Sequence, residues 1–254
     1  MHGADALRNG LGSAMAGAGS PLDAANQLCH ACVDLLDVDG ASVSLIHEGA
    51  SRGTFGSSGR LSRRLDELQF TFGEGPCLDA VRGGGPVLVS DLNDVTEVRW
   101  PAFRDAALEA GISAVFALPV VIAFAHVGAL DLFNRRPGPL TEPMLTAALL
   151  AAELAALPLL DLMTARVDWE SAAQGDEGWE QLASLERVEV YQATGMLMAA
   201  LDVAPSEALA RLRGYAYAHA MTASEVAWAI IERRLTLHSD GNGPAAGHRT
   251  GDHT

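Results

Sequence analysis

Lysine is absent from this sequence. All 17 basic residues are arginine, set against 32 acidic ones, and the formal net charge is −15. A chain so acidic is repelled as a whole by nucleic-acid phosphates, so any nucleic-acid contact must come from a local patch. Asp37 and Asp39 look like the acidic pair of a phosphorelay receiver, but they follow a helix instead of a parallel strand. With no lysine to complete a phospho-acceptor site, a receiver is disfavoured. Cysteine is scarce too: three residues give no disulfide framework and fit a reducing compartment. No nucleophile elbow, P-loop, zinc-protease helix or phosphatase carboxylate set occurs, and an enzyme is not expected. The first ten residues lack a basic stretch followed by a long apolar one, so no signal peptide is read. One apolar run, 144–163, is long enough to raise a membrane span. It carries Glu153, Pro158 and Asp161 and reads as a soluble helix, so a cytoplasmic protein without membrane contact is expected.

What is present is core material: 49% of residues are hydrophobic, sufficient for one large domain or two small ones. Residues 1–19, rich in Gly, Ala and Ser, read as a flexible tail. Pro21 opens a helix with an apolar stripe of Leu28, Cys32, Leu35 and Leu36, and 41–46 alternates like a half-buried strand. A short strand is expected within 51–60 and a helix over 61–68. A glycine-punctuated loop, Gly73-Glu74-Gly75-Pro76-Cys77, then runs into a short helix. A strand at 86–92, a helix from Pro101 to Ala110 and two strong strands at 113–122 and 127–133 follow. Thr141-Glu142-Pro143 starts a long Ala/Leu helix. Helix, antiparallel strands and closing helix make an α+β sandwich.

Its motifs, DVDGASVSL at 37–45, GEGPC at 73–77, RWPAF at 99–103 and GISAVFALPV at 111–120 before GALDLF at 128–133, resemble those of a GAF domain spanning 20–165. The resemblance implies a sensor or dimerisation module with a small-molecule pocket and no catalysis of its own. Glu74 and Cys77 in the glycine loop, with Arg99 and Trp100, are the candidate pocket residues; a connecting turn and a packing corner are their structural alternatives. The ligand is unknown. Cys29 and Cys32 share one helix face and fit a core better than zinc, which would need two more ligands. Nothing in the spacing supports a haem ligand at His47 or His126.

A polar stretch, 166–179, reads as a linker. The helix after it, 182–201, is apolar on two sides: Leu185, Val188, Gln192 and Gly195 on one, Val190, Thr194, Leu197 and Leu201 on the other. Such a helix is buried twice, once in its own bundle and once against a partner chain, which makes Leu185, Val188, Gln192 and Gly195 candidate packing or dimer residues. Pro205 ends it and opens a second helix. Thr222-Ala223-Ser224-Glu225 then caps a third, with Val226, Ala227, Ile230 and Ile231 inward and Trp228 outward. Residues 238–254 are expected to be disordered. The fragments YQATGMLM (191–198), SEALARLRGYAYAH (206–219), SEVA (224–227) and IIERRL (230–235) resemble an ANTAR domain over 180–237, a small all-α three-helix module. GAF followed by ANTAR resembles an actinobacterial regulator.

That resemblance implies a homodimer that binds paired RNA stem-loops and hinders transcription termination, with Arg213, Tyr215, Ala216 and His219 carried over as RNA contacts. Arg211, Tyr217 and Trp228 are added because RNA loops are held by stacking on aromatic rings and guanidinium planes. The sequence departs from the family in having Thr194 where lysine is common and Ala220-Met221-Thr222 after the second helix. Between 184 and 238 there are five arginines against six acids, a weak basic patch. An RNA-binding antitermination regulator is the leading expectation; the alternative is a GAF–ANTAR dimerisation or protein-interaction regulator without appreciable RNA binding. DNA binding is disfavoured because no helix has a basic recognition face.

Overall fold

The computed structural model describes residues 2–47, 50–165 and 187–237. The chain forms two compact units, Met1–Val188 and Glu189–Thr254. In the first, five antiparallel strands, β1 (Gly40–His47), β2 (Ala50–Ser57), β3 (Val87–Val89), β4 (Ala114–Ile122) and β5 (Ala125–Asn134), lie in the order β2-β1-β5-β4-β3. The β4–β5 hairpin turns through Ala123 and Phe124, both in the left-handed region (φ 48° and 70°) that a two-residue hairpin loop requires.

Helices cover both sheet faces. Alternation sends Ala41 and Val43 of β1, Phe116, Leu118 and Val120 of β4, and Leu130 and Leu132 of β5 to one face. There they pack with α1 (His2–Met15), α2 (Pro21–Leu36) and α6 (Glu142–Ala165). Ser20 caps α2 by accepting from the Asp23 N–H at 3.1 Å. The opposite face, carrying Val115 and Phe133, packs against α3 (Arg60–Phe72) and α5 (Pro101–Glu109), while Ile46, Ala117 and Ala129 pack against α4 (Pro76–Gly83). The expected half-buried strand at 41–46 is therefore buried on both sides, and Ser42 and Ser44 are fully covered.

Residues 1–19 are not the expected tail. They contain α1, because Leu7, Leu11, Ala14 and Met15 recur at helical spacing and pack on α2 and α6 despite the glycines between them. An exposed Arg8–Glu153 pair at 3.5 Å adds little. Over Glu142–Leu162, α6 is long and apolar enough to cross a membrane, but Ala147, Ala148, Ala151, Ala155 and Leu159 are buried in the first core, which accounts for its hydrophobicity. The expected linker at 166–179 and the tail at 238–254 lie outside the described residues.

In the second unit, α7 (Val188–Leu201), α8 (Pro205–Ala218) and α9 (Ala223–Ile231) follow the expected order. The Thr222–Glu225 capping box is present, with Glu225 N–H donating to Thr222 Oγ1 at 3.2 Å and Thr222 N–H to Glu225 Oε2 at 2.6 Å. Ser224 Oγ donates to Glu189 Oε1 at 2.8 Å, tying α9 to the start of α7. Each helix ends near a non-glycine residue with positive φ: Asp202 (53°), Ala220 (52°) and Arg233 (57°). A β-carbon in that conformation costs on the order of 1 kcal/mol. Ala220→Gly is therefore expected to raise the opening free energy of the α8 amides by about 1 kcal/mol in native-state hydrogen exchange on the full chain. An unchanged or lower value would show that the left-handed turn is not strained.

Candidate functional site

On the sheet face under α3 and α4 the core is polar. Ser42 of β1 stands between Ser57 of β2 and Asp131 of β5, and Ser44 between Thr54 and Ala129. Above them, α3 brings Asp66 and Gln69, three residues apart on one helical face, between the apolar anchors Leu65 and Leu68. Asp66 Oδ1 accepts from Ser44 Oγ (2.5 Å) and Ser51 Oγ (3.4 Å), and Oδ2 accepts from Thr54 Oγ1 (2.5 Å) and Arg187 Nη2 (2.7 Å). The Arg187 guanidinium lies 4.4 Å from the ring centre of Phe70. Asp66 is fully buried and the Arg187 side chain is 6% exposed, so this is an ion pair shut away from water.

Gln69 extends the network. Its Nε2 donates to Asp131 Oδ2 at 2.7 Å, and its Oε1 accepts the Cys77 backbone N–H at 2.8 Å. This explains Gly75: a β-carbon there would stand 2.5 Å from Gln69 Oε1, and the residue holds φ 141°. Asp131 is fully buried, with Oδ1 unpartnered among the described residues. Burial pushes its carboxyl up to about 8, the Gln69 bond opposes this, and the nearby Asp66 charge adds to it. Burial first, then Asp131 and Asp66, also hold the Cys77 thiol well above its ordinary range. It is a covered, un-ionised wall of the site and no nucleophile.

Of the expected pocket residues, only Cys77 adjoins this cluster. Glu74 instead caps α5, its Oε1 accepting the Ala102 and Phe103 N–H groups at 2.8 and 3.0 Å. Trp100 is a buried packing corner, donating to Asp79 Oδ2 at 3.0 Å and meeting Phe103 edge to face. Arg99 stacks outside it at 4.1 Å and is held by Glu97. Asp66, Gln69, Asp131 and Arg187 are not among the residues the sequence motifs single out. The signals were a lone acid inside the apolar strand ALDLF and an acid–amide pair on the apolar face of α3.

Cys29 and Cys32 are fully buried in the first core, and burial pushes Cys32 up to about 12. No cluster of three or more His, Cys, Asp or Glu fit for a metal occurs among the described residues. Asp37 ends α2 in the left-handed conformation, and Asp39 Oδ2 accepts the Arg135 N–H at 2.7 Å, so this pair serves the turn.

In the second unit, Val190, Ala193, Thr194 and Leu197 are the buried side of α7, while Val188, Tyr191, Gln192 and Gly195 are exposed. A β-carbon at Gly195 would meet nothing within 4 Å among the described residues, so none of their backbone approaches it closely. Leu185 lies outside the described residues. Ala216, expected to touch RNA, is instead fully buried with Ala208 and Leu212 on the inward side of α8, where it cannot reach a ligand. Tyr215 is half-buried and stacks on His219 at 3.8 Å, which is exposed. Tyr217 and Trp228 are open, at 63% and 51% exposure. Arg211 is half-buried and paired with Glu207 at 2.7 Å, and Arg213 is half-buried.

A two-faced antiparallel sandwich with a polar inner site, followed by a three-helix module, defines a regulatory chain with a sensor-type domain and a separate helical domain. The chain belongs to the GAF domain family, whose model matches residues 18–159, and it carries an ANTAR domain at 181–231. Its fold is similar to the GAF domain of an Acinetobacter phosphoenolpyruvate-protein phosphotransferase (14% identity, 66% of this chain and 98% of that one, TM-score 0.51). It is also similar to the GAF domain of a Coxiella burnetii phosphoenolpyruvate-protein phosphotransferase (13%, 65% and 98%, TM-score 0.52). None of the curated proteins matches the chain.

Removing one partner of a buried ion pair costs about 3–5 kcal/mol, whereas removing both spares the stranded charge. Arg187→Ala is therefore expected to lower the stability of the first domain in urea by about that much, and Arg187→Ala with Asp66→Asn by clearly less. Equal losses would mean that Asp66 gains nothing from Arg187. Asp131 generates a pH signature. Below about pH 4 its carboxyl is protonated whether folded or unfolded. As the pH rises towards 8 only the unfolded chain ionises, so stability falls, and it levels off above 8. The melting temperature of Asp131→Asn relative to wild type should climb from pH 4 to 8 and then stay flat; a constant difference would place the Asp131 pKa in its ordinary range.

Proposed function

We propose that this chain is a cytoplasmic transcription regulator in which the GAF domain senses a small molecule and the ANTAR domain, as a homodimer, binds paired RNA stem-loops of leader transcripts and hinders termination. The observation that carries this reading is the succession in one chain of a sensor fold with a built polar interior and an ANTAR bundle with open aromatic side chains. Tyr217 and Trp228 are the stacking platforms for loop bases, with the Tyr215–His219 pair beside them on the chain. The stripe Val188, Gln192 and Gly195 is the proposed dimer face, because it is exposed and partly apolar. Neither domain supplies catalytic machinery in this reading.

A specific observation favours a second reading, a dimerisation or protein-contact regulator without appreciable RNA affinity. Of the five arginines near the bundle, Arg187 is buried on Asp66, Arg211 is paired with Glu207 and Arg234 with Glu232. Little positive charge remains for phosphates, so RNA binding here depends on stacking and has a shallow salt dependence. Titration of the full chain with a two-hairpin RNA and with a scrambled duplex separates the readings. Tyr217→Ala and Trp228→Ala are each expected to weaken hairpin binding by roughly 5- to 150-fold. Arg82→Ala, at a first-domain surface pair with Asp79, should leave it unchanged. No preference for hairpins at low salt, with the dimer intact, would establish the second reading.

A further inference from the structure

Arg187 comes from 121 residues away in sequence to reach Asp66, and what it enters has the features of a cation-binding site. There is a carboxylate floor, already held in orientation by Ser44, Ser51 and Thr54, and an aromatic face, Phe70, against which the planar guanidinium lies. The fit is nevertheless incomplete. Among the described residues, Arg187 Nε, Asp131 Oδ1 and Ser42 Oγ are buried without hydrogen-bond partners, which is costly for each of them. Arg187 also holds a left-handed backbone, φ 47°, which a side chain other than glycine disfavours. A guanidinium without a tether avoids that backbone strain and is free to turn its N–H groups towards the unpartnered oxygens.

We propose that this pocket takes a small planar cation of the guanidinium class, and that Arg187 is the tethered occupant which that ligand displaces. The proposal rests on reading the first domain as a sensor and names its ligand chemistry. The pocket is enclosed, so a small molecule suits it and a macromolecular surface does not. Displacement releases the residue immediately before α7, which begins at Val188. Because the ligand competes with Arg187, its apparent affinity is its intrinsic affinity multiplied by the fraction of time that Arg187 spends outside the pocket.

The test uses the full-length protein and methylguanidinium, with sodium chloride as the ionic control and urea as the neutral planar control, read by thermal shift and calorimetry. Arg187→Ala should show saturable stabilisation by methylguanidinium alone, with an affinity about tenfold or more above that of wild type. Adding Asp66→Asn should abolish it. No saturable response in Arg187→Ala, an equal response to urea, or a response that survives Asp66→Asn would overturn the proposal. Should Arg187→Ala fail to fold, Arg187→Gly, which empties the pocket and suits the positive φ of 47°, takes its place. Wild type supplies an independent reading: methylguanidinium should speed amide exchange at 188–190, and unchanged exchange would overturn the displacement. None of these readouts involves RNA, so a failure of RNA binding sinks the functional reading and leaves the site standing, and a silent pocket does the reverse.

Discussion

Asp66 accepts hydrogen bonds from three hydroxyls and a guanidinium at a position from which water is excluded, and the α3–α4 side of the sheet is arranged to permit it. An ionised carboxylate in such surroundings is tolerable only with a paired charge and filled lone pairs. Ser44, Ser51 and Thr54 come from two neighbouring strands, and Arg187 supplies the charge. Gln69 connects this centre to Asp131 and to the Cys77 N–H, and Gly75 leaves room for the Gln69 side chain. A buried ion pair is weak evidence for stability, since apolar residues of similar volume often do as well.

The second unit solves its electrostatics differently. Two of its arginines pair with acids close in sequence, Arg211 with Glu207 and Arg234 with Glu232, which leaves them less charge to offer a polyanion. What it does expose is aromatic. Stacking is indifferent to the sign of the surrounding charge and acts at short range, so the proposed RNA contact is one that a net charge of −15 opposes less than it opposes phosphate binding.

Much of this architecture was legible from periodicity. The strands β4 and β5, the capping box at Thr222 and the inward set Val226, Ala227 and Ile230 follow from patterns of two and of three to four residues. Helix α1 was hidden because glycine and alanine dilute a stripe that only its partners α2 and α6 make meaningful. The site was hidden for a related reason. Alternation in Ser42-Val43-Ser44 marks two faces but does not say that both are covered, and a serine under a second layer of helices looks the same in sequence as one in water. Glu74 and Trp100 stood out through their glycine and proline neighbours, yet those neighbours mark turns and caps. Asp66 and Arg187 meet only through tertiary structure, and no local pattern links them.

The chemistry of the pair also bears on how a sensor of this kind would be poised. Exchanging one guanidinium for another leaves the charge in the pocket unchanged, so neither occupant has to meet the full cost of desolvating Asp66. The balance between the two states then reduces to small terms: the left-handed strain at Arg187, the unpartnered Nε, and the translational freedom a free ligand gives up. Terms of this size keep an equilibrium within a few kcal/mol, where a ligand at ordinary concentration can shift it. A pocket filled by an apolar side chain, or one left empty over a bare carboxylate, would lie far to one side of that balance. Placing the competing cation in the chain itself, one residue before α7, gives the exchange a direct covalent route to the helix that follows.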